Sequence, residues 1–182
     1  MAMVKADAYG HGLLPAAKAL READGLGVAR LQEALCLRES GIKQRILLLG
    51  TALDAADLAL CSELNIDVTA HDGASVVSIA NAAQQMPLRV WLELDSGMHR
   101  TGLSPGEFVK ADDLLKSLPA ITELIHMTHF SSAEDRDSPV MDRQISCFAS
   151  CHAANPNWAR AGAFFSLAPQ LSARGTWSND ST

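Results

Sequence analysis

Short apolar runs and longer runs with helical spacing alternate along most of this chain of 182 residues. The short runs predict strands at residues 3–8, 25–31, 45–49, 66–70, 88–94 and 121–130. The longer runs predict helices at residues 13–22, 32–39, 53–64, 74–85, 107–118 and 139–152. Strand–helix units in steady order are typical of a parallel sheet with right-handed crossovers, so the predicted fold class is α/β. Both a doubly wound sheet and a (β/α)8 barrel fit this pattern.

The pattern changes at residue 153. Residues 153–182 show no sustained period of either kind and end in small polar residues. We therefore predict that residues 1–152 form the folded domain and that residues 153–182 are an irregular or disordered tail. Only a short apolar patch at residues 163–167 stands out within that tail.

Composition narrows the class of protein. Hydrophobic residues make up 48% and charged residues 20%, which is an ordinary balance for a soluble domain. The net charge of −6 argues against nucleic acid and anionic membranes as the main partners. No apolar run approaches the roughly 20 residues that cross a bilayer, and the N-terminus lacks the pattern of a secretory signal. We therefore expect a cytoplasmic protein.

The four cysteines do not predict a metal site. Cys36 and Cys61 lie among aliphatic residues of predicted helices, where they are expected to be buried, inert thiols. Cys147 and Cys151 are four residues apart and precede His152, but no second cysteine pair is available to complete a tetrahedral site.

Lys5 is the first candidate for chemistry. It lies within VKADAYGHG, inside a predicted buried strand, where a charged ammonium is costly. Burial favours the neutral amine, which is the form that condenses with an aldehyde cofactor. The alternative is a lysine whose side chain reaches out to solvent from the end of the strand.

The residues after Lys5 suit an anion. Tyr9, Gly10, His11 and Gly12 lie at the predicted strand-to-helix turn, where free N–H groups and the helix dipole favour a phosphate. A tyrosine hydroxyl there can donate to a phosphate oxygen. The glycine pair alone is weak evidence, because most such pairs only form turns.

Several stretches resemble one enzyme family in order and spacing. They are VKADAYGHG at residues 4–12, GVARLQEALCLRESGI at 27–42, LELDSGMHRTG at 92–102 and MTHFSSAED at 127–135. Together they resemble the alanine racemases, which depend on pyridoxal 5'-phosphate. The resemblance implies a partial (β/α)8 TIM-type barrel over residues 1–152, without the first helix, the last barrel units and the C-terminal β-domain of the family.

The resemblance also implies roles for individual residues. Lys5 would bind the cofactor covalently and act as one of two acid/base groups at the substrate Cα, and Tyr9 would bind the cofactor phosphate. Arg100 would face the cofactor's phenolic oxygen and the substrate carboxylate. His129 would lie against the pyridine ring. The alternatives are a surface salt bridge for Arg100 and a buried, hydrogen-bonded histidine for His129.

The remaining histidines look structural or solvated. No carboxylate pattern in the sequence singles out His11, His71, His99 or His126.

Glu93 departs from the family pattern. Many alanine racemases carry a lysine at this position, and its carbamate supports the motif arginine. Glu93 supplies a native carboxylate seven residues before Arg100, so we hypothesise that it does the same electrostatic work. The alternative is an ordinary surface glutamate.

The resemblance implies the interconversion of L-alanine and D-alanine, for cell-wall supply or for alanine catabolism, by a homodimer. The family's second catalytic group is a tyrosine, and the only tyrosine here is Tyr9. We therefore expect this chain by itself to be inactive. Two alternatives stay open, namely a non-catalytic pyridoxal-phosphate-binding barrel and a degenerate, non-functional fragment.

Overall fold

The computed structural model describes residues 1–50, 52–133, 139–153 and 164–166. Its strands are β1 (Ala2–Met3), β2 (Gly25–Val28), β3 (Arg45–Leu48), β4 (Ile66–Ala70), β5 (Leu88–Leu94), β6 (Ile121–His129) and β7 (Phe164–Ser166). Its helical segments are α1 (Lys5–Tyr9), α2 (Leu13–Ala19), α3 (Leu31–Glu39), α4 (Ala55–Glu63), α5 (Gly73–Ala82), α6 (Pro105–Lys116) and α7 (Pro139–Ala153). The predicted strands at 66–70 and 88–94 are confirmed to the residue.

The strands form one parallel sheet in strictly sequential order, from β1 to β7 within the described residues. A doubly wound sheet reverses its strand order at a switch point, and this sheet does not. Right-handed crossovers that always step in one direction place every helix on the same face of the sheet. The other face is left to turn inward, which is the geometry of a (β/α) barrel.

The two faces of the sheet carry separate apolar clusters. Alternate strand residues such as Ile46 and Val90 pack against the helices in a large core that includes Leu37, Ile79 and Phe108. The intervening residues point to the inner face, where Leu47, Trp91, Ile125 and Met127 form a second cluster. This alternation is the period of two that strands impose, and it shows which residues line the barrel interior.

A polar network occupies the inner face near the amino ends of the strands. Asp67 is completely buried and accepts hydrogen bonds from Arg89 Nε at 2.6 Å and from Trp91 Nε1 at 2.8 Å. Arg45 Nε lies 3.2 Å from the same carboxylate, and its terminal nitrogen binds Glu123 on β6. Contact between strands three places apart requires the sheet to curve. This end of a barrel carries stability, whereas the carboxyl ends of the strands carry function.

The first predicted strand was wrong in its extent. Residues 3–8 were predicted to be extended, but β1 ends at Met3 and the chain then coils as a left-handed turn through Ala6, Asp7, Ala8 and Tyr9. Their φ values lie between 52° and 55°. A left-handed residue other than glycine costs about 1–2 kcal/mol, so the surrounding contacts must stabilise this turn.

Part of the predicted tail is described as a strand. The apolar patch predicted at residues 163–167 contains β7, which pairs with β6 from Met127↔Phe164 to His129↔Ser166. Residues 154–163 and 167–182 lie outside the described residues, so the prediction of an irregular tail stays a prediction there. None of the described helices has the length and apolar character that crossing a membrane requires.

Candidate functional site at the carboxyl ends of the strands

Lys5 lies at the carboxyl end of β1, one residue beyond the buried Val4. The hydrophobic pattern predicted this lysine inside a buried strand. The structure instead places it at the start of the left-handed turn, where it is only partly buried. Its environment therefore lies between the two sequence-based alternatives: the residue is partly covered, and it stands at the functional end of the sheet.

Asp7 and backbone bonds organise the turn after Lys5. The N–H of Ala8 donates to Val4 at 2.8 Å, and the N–H of Gly12 donates to Asp7 at 3.0 Å. The Asp7 carboxylate accepts the N–H of Leu13, the first residue of α2, at 2.7 Å. These bonds close the turn on itself and fix the start of the next helix.

The prediction of free N–H groups in this turn was wrong. The N–H groups of Gly10, His11, Gly12 and Leu13 all donate to residues 6–8. In this conformation of the turn, those N–H groups are not available to donate to a phosphate. Tyr9 is 49% exposed, and its hydroxyl makes no hydrogen bond to the part of the chain that the structure describes. The phenol therefore remains available to donate to an anion.

A tightly bonded loop after β5 carries Arg100. Asp95 Oδ1 accepts the N–H groups of Gly97 and His99, both at 2.9 Å, and its Oδ2 lies 2.8 Å from His99 Nδ1. The N–H of Gly102 donates to the carbonyl of His71 at 3.1 Å, which docks the loop on the end of β4. Arg100 is exposed near the tip of this loop, and no ion pair joins it to another described residue. The alternative of a surface salt bridge is thus not seen.

Glu93 is buried, with 5% of its surface exposed, so the alternative of a surface glutamate was wrong. Its Oε1 accepts a hydrogen bond from the Thr101 hydroxyl at 3.1 Å. Burial raises the pKa of Glu93, while Thr101, His71 and Arg100 act in the opposite direction. No ion pair within 4.0 Å joins Glu93 to Arg100 in the described residues, so the direct contact runs to the residue after the arginine.

His129 ends β6 and lies on the inner face, two residues beyond Met127. Burial lowers its pKa, and the positive charges of Arg100 and Lys5 lower that pKa further. The imidazole is therefore neutral at neutral pH. It is only partly buried and has no hydrogen bond to a described residue, so it is not the buried, bonded histidine of the alternative.

His126 is the histidine that is both buried and hydrogen-bonded. Its Nε2 lies 2.9 Å from Asp112 Oδ1, and its ring packs edge-on against Phe108 with centroids 4.3 Å apart. Lys116 Nζ binds the other Asp112 oxygen at 2.6 Å. No pattern in the sequence pointed to this partner, because Asp112 lies on a different element, fourteen residues earlier.

Among the described residues, no group of three His, Cys, Asp or Glu side chains could hold a metal ion. The four cysteines are free thiols. Cys61 is fully buried, and burial together with Asp57 raises its pKa to about 12, in agreement with an inert thiol. Cys36 is only partly buried.

Four of the five predicted residues lie at the carboxyl ends of the strands. The positive charges of Arg100 and Lys5 lower the pKa of His129, and the charge of Arg100 acts on the pKa of Glu93. Tyr9 lies on the exposed side of the turn that comes after Lys5.

Comparison with known proteins identifies the family of this chain. Residues 1–169 match the family model "Alanine racemase, N-terminal domain". The chain is 42% identical to an alanine racemase of Shewanella woodyi over 149 residues. This aligned region covers 81% of this chain and 42% of the relative. It is 46% identical to an alanine racemase of Xanthomonas oryzae pv. oryzae over 150 residues, and this aligned region covers 82% of this chain and 41% of the relative.

Solved structures show the same likeness. The biosynthetic alanine racemase from Pseudomonas aeruginosa superposes with a TM-score of 0.81 and 35% sequence identity, over 90% of this chain and 45% of that structure. The chain thus spans less than half the length of the relatives it matches. The family model, the sequence relatives and the superposed barrel agree, and this chain belongs to the alanine racemase family.

Proposed function

We propose that this chain is the lysine-bearing part of an alanine racemase that holds pyridoxal 5'-phosphate and acts on alanine. The observation that carries the proposal is that Lys5, Arg100 and His129 all lie at the carboxyl ends of strands of one parallel sheet. There the positive charges of Arg100 and Lys5 add to burial in lowering the pKa of His129. One amine, one guanidinium and one neutral imidazole at the mouth of a barrel form a donor set that fits this cofactor. When bound, pyridoxal 5'-phosphate supplies an aldehyde for amines and an electron-accepting ring.

Each residue has a role that its chemistry supports. The Lys5 amine would hold the cofactor at its aldehyde carbon, and as a free amine it would take or give the proton of the substrate Cα on one face. The Arg100 guanidinium would bind carboxylate and phenolate oxygens through its forked donors. The neutral His129 ring would cover an aromatic cofactor without adding a charge. The Tyr9 hydroxyl would donate to the phosphate.

In this proposal Glu93 supports Arg100 indirectly. Its buried carboxylate holds Thr101, and it opposes the positive charge of the neighbouring guanidinium. Glu93→Gln keeps an acceptor for Thr101 but removes the negative charge, so it is expected to weaken the affinity for pyridoxal 5'-phosphate while the fold persists. Unchanged cofactor affinity in that variant would contradict this role.

The 182 residues alone are proposed not to racemise alanine. Racemisation requires an acid and a base on opposite faces of Cα, and Lys5 serves only one. Tyr9 is the only tyrosine in the sequence, and its turn comes directly after Lys5. The second group, the homodimer and the cytoplasmic location are proposals for the complete protein, supported by the family. A cell-wall or a catabolic role stays open.

Trapping the lysine adduct tests the proposal. The purified chain is incubated with pyridoxal 5'-phosphate and reduced with borohydride, and the modified residue is located by mass spectrometry. We expect one major adduct on Lys5, lost in Lys5→Ala and retained in Lys18→Ala, which removes an exposed lysine of α2. Equal labelling of Lys5 and Lys18 would reject a specific site.

Two further outcomes separate the alternatives. No adduct would favour a degenerate fragment. Racemisation of alanine by the chain alone would overturn the proposed inactivity.

A further inference from the structure

Gln144 of α7 is buried below the candidate site, with only 1% of its surface exposed. Its Oε1 accepts hydrogen bonds from the backbone N–H of Ser131 at 3.2 Å and from the Ser131 hydroxyl at 3.3 Å. Ser131 lies two residues after His129. One end of the amide therefore holds the segment that leaves the histidine strand.

The same side chain lies beside the loop that carries Arg100. A Cβ built on Gly97 would lie 3.6 Å from Gln144 Cγ and 3.9 Å from its Nε2, so the glutamine faces the side of this glycine where a side chain would stand. Gly97 is fixed in turn by Asp95, which accepts its N–H at 2.9 Å. Gln144 thus spans the interval between the loop after β5 and the segment after β6.

A second connection joins the carboxyl ends of β5 and β6. The hydroxyls of Ser96 and Thr128 lie 2.8 Å apart, and Thr128 donates to the carbonyl of Leu94 at 2.8 Å. All three residues are buried. This pair connects β5 and β6 at their carboxyl ends, and Gln144 connects the segments just beyond those ends. The Ser96–Thr128 hydrogen bond and Gln144 therefore both influence the distance between Arg100 and His129.

We propose that Gln144 is a positioning residue that sets the separation between the Arg100 loop and the His129 segment. The inference rests on the proposed function, because it identifies what keeps the guanidinium and the imidazole in register for one anionic, aromatic ligand. Burying an amide is costly unless it is hydrogen-bonded. Gln144 Oε1 accepts two hydrogen bonds from Ser131, while its buried Nε2, on the side of Gly97, has no hydrogen-bond partner among the described residues. A residue that only filled core space would not need a polar group here.

The test replaces Gln144 with methionine, which has a similar length and volume but no acceptor. Three quantities are measured on the 182-residue chain: the dissociation constant for pyridoxal 5'-phosphate, hydrogen exchange at residues 96–103, and the NMR titration of the His129 ring. We expect the dissociation constant to rise about five- to tenfold, which is the effect of losing about one well-placed hydrogen bond. Exchange should accelerate, and the pKa of His129 should move toward its ordinary value as Arg100 moves away.

Three further variants make the result decisive. Ser131→Ala changes an exposed residue and removes only the hydroxyl bond, so it should weaken the affinity about two- to threefold in the same direction. Ser150→Ala removes a hydroxyl from the exposed face of the same helix and should change nothing at the site. Leu37→Ala lowers stability from the outer core, away from the site, and should leave the affinity unchanged where the protein is folded.

The outcomes separate this inference from the proposed function. If wild type does not bind the cofactor, the proposed function fails, and the exchange and titration of the cofactor-free chain still test Gln144. If wild type binds and Gln144→Met matches it in all three measurements, the positioning role is overturned. The same conclusion holds if Leu37→Ala reproduces the changes, because they would then report stability alone.

Discussion

The Thr101 hydroxyl donates to the buried carboxylate of Glu93 at 3.1 Å, which joins the inner face of β5 to the residue directly after Arg100. The same stretch is joined at the backbone, because the N–H of Leu103 donates to the Glu93 carbonyl at 2.9 Å. The arginine therefore lies on a loop that returns to its own strand. Its position depends on a buried acid rather than on a direct ion pair.

Thr101→Val should destabilise the chain by about 1–2 kcal/mol, because it removes a hydrogen bond to a buried carboxylate. Urea denaturation at pH 7 measures this change. Thr122→Val is the matched control, since Thr122 is exposed and donates to Leu88 at 3.2 Å on the other end of the sheet. Equal costs for the two variants would show that the Glu93 contact has no special weight.

Glu93→Gln should stabilise the chain at neutral pH, because it replaces a carboxylate whose charged form is disfavoured by burial. Burial raises the pKa of Glu93 above its ordinary value of 4.5, so the folded state binds this proton more tightly than the unfolded state. Its contribution therefore favours folding below pH 4.5 and is lost as the pH rises through the raised pKa.

The difference in unfolding free energy between Glu93→Gln and wild type should accordingly grow between about pH 4 and pH 7. Glu63→Gln changes an exposed glutamate and should show no such growth. A difference that shrinks with rising pH would contradict the raised pKa.

Gly102→Ala should cost about 2–3 kcal/mol and displace the Arg100 loop. Gly102 has a φ of 105°, and a Cβ there would lie 2.5 Å from the backbone N of Asp95. Two controls separate the causes. Gly41 has a φ of 82°, but a Cβ built there would have no atom within 4 Å. Gly41→Ala should therefore lower the free energy of unfolding by only about 1 kcal/mol, through backbone strain. Gly73→Ala begins α5 in open space and should be neutral or slightly stabilising.

Asp7→Ala should cost about 1 kcal/mol, because it removes the carboxylate that accepts the N–H of Leu13 at the start of α2. Asp7→Asn keeps an acceptor and a residue that tolerates the left-handed region, so it should be close to wild type. Thermal unfolding measures the stability of both variants, and Asp24→Ala, which changes an exposed residue outside the turn, is the control. An Asn variant as unstable as the Ala variant would show that the cap bond is not what stabilises this turn.

Asp112→Asn should destabilise the chain by about 2–3 kcal/mol, because it removes the charge that binds both His126 and Lys116 in a buried setting. Burial opposes ionisation of Asp112, but those two bonds prevail and lower its pKa. Stability from this group is therefore present above its ordinary pKa of 3.8 and is lost as the pH falls through the lowered value. The gap between wild type and the variant should close as the pH falls below the ordinary pKa of 3.8, and a gap that widened in acid would contradict this account.

The sequence by itself determined the repeating elements and the candidate residues. The apolar runs at 66–70 and 88–94 are bounded by polar and turn residues, so their limits arise from local chemistry alone. Lys5 was identified from its place in an apolar run, and Arg100 and His129 from motifs that resemble those of alanine racemases. The sheet places all three at the same edge because parallel strands share their carboxyl ends.

Only the tertiary structure decided how those residues are arranged. The left-handed turn after Met3 contains four consecutive non-glycine residues, which local propensity disfavours and which long-range contacts must hold. The burial of Glu93 depends on the loop folding back over β5, and the partner of His126 comes from a different element. The choice between a barrel and a doubly wound sheet depended on strand order, which hydrophobic periodicity cannot encode because it describes each strand separately.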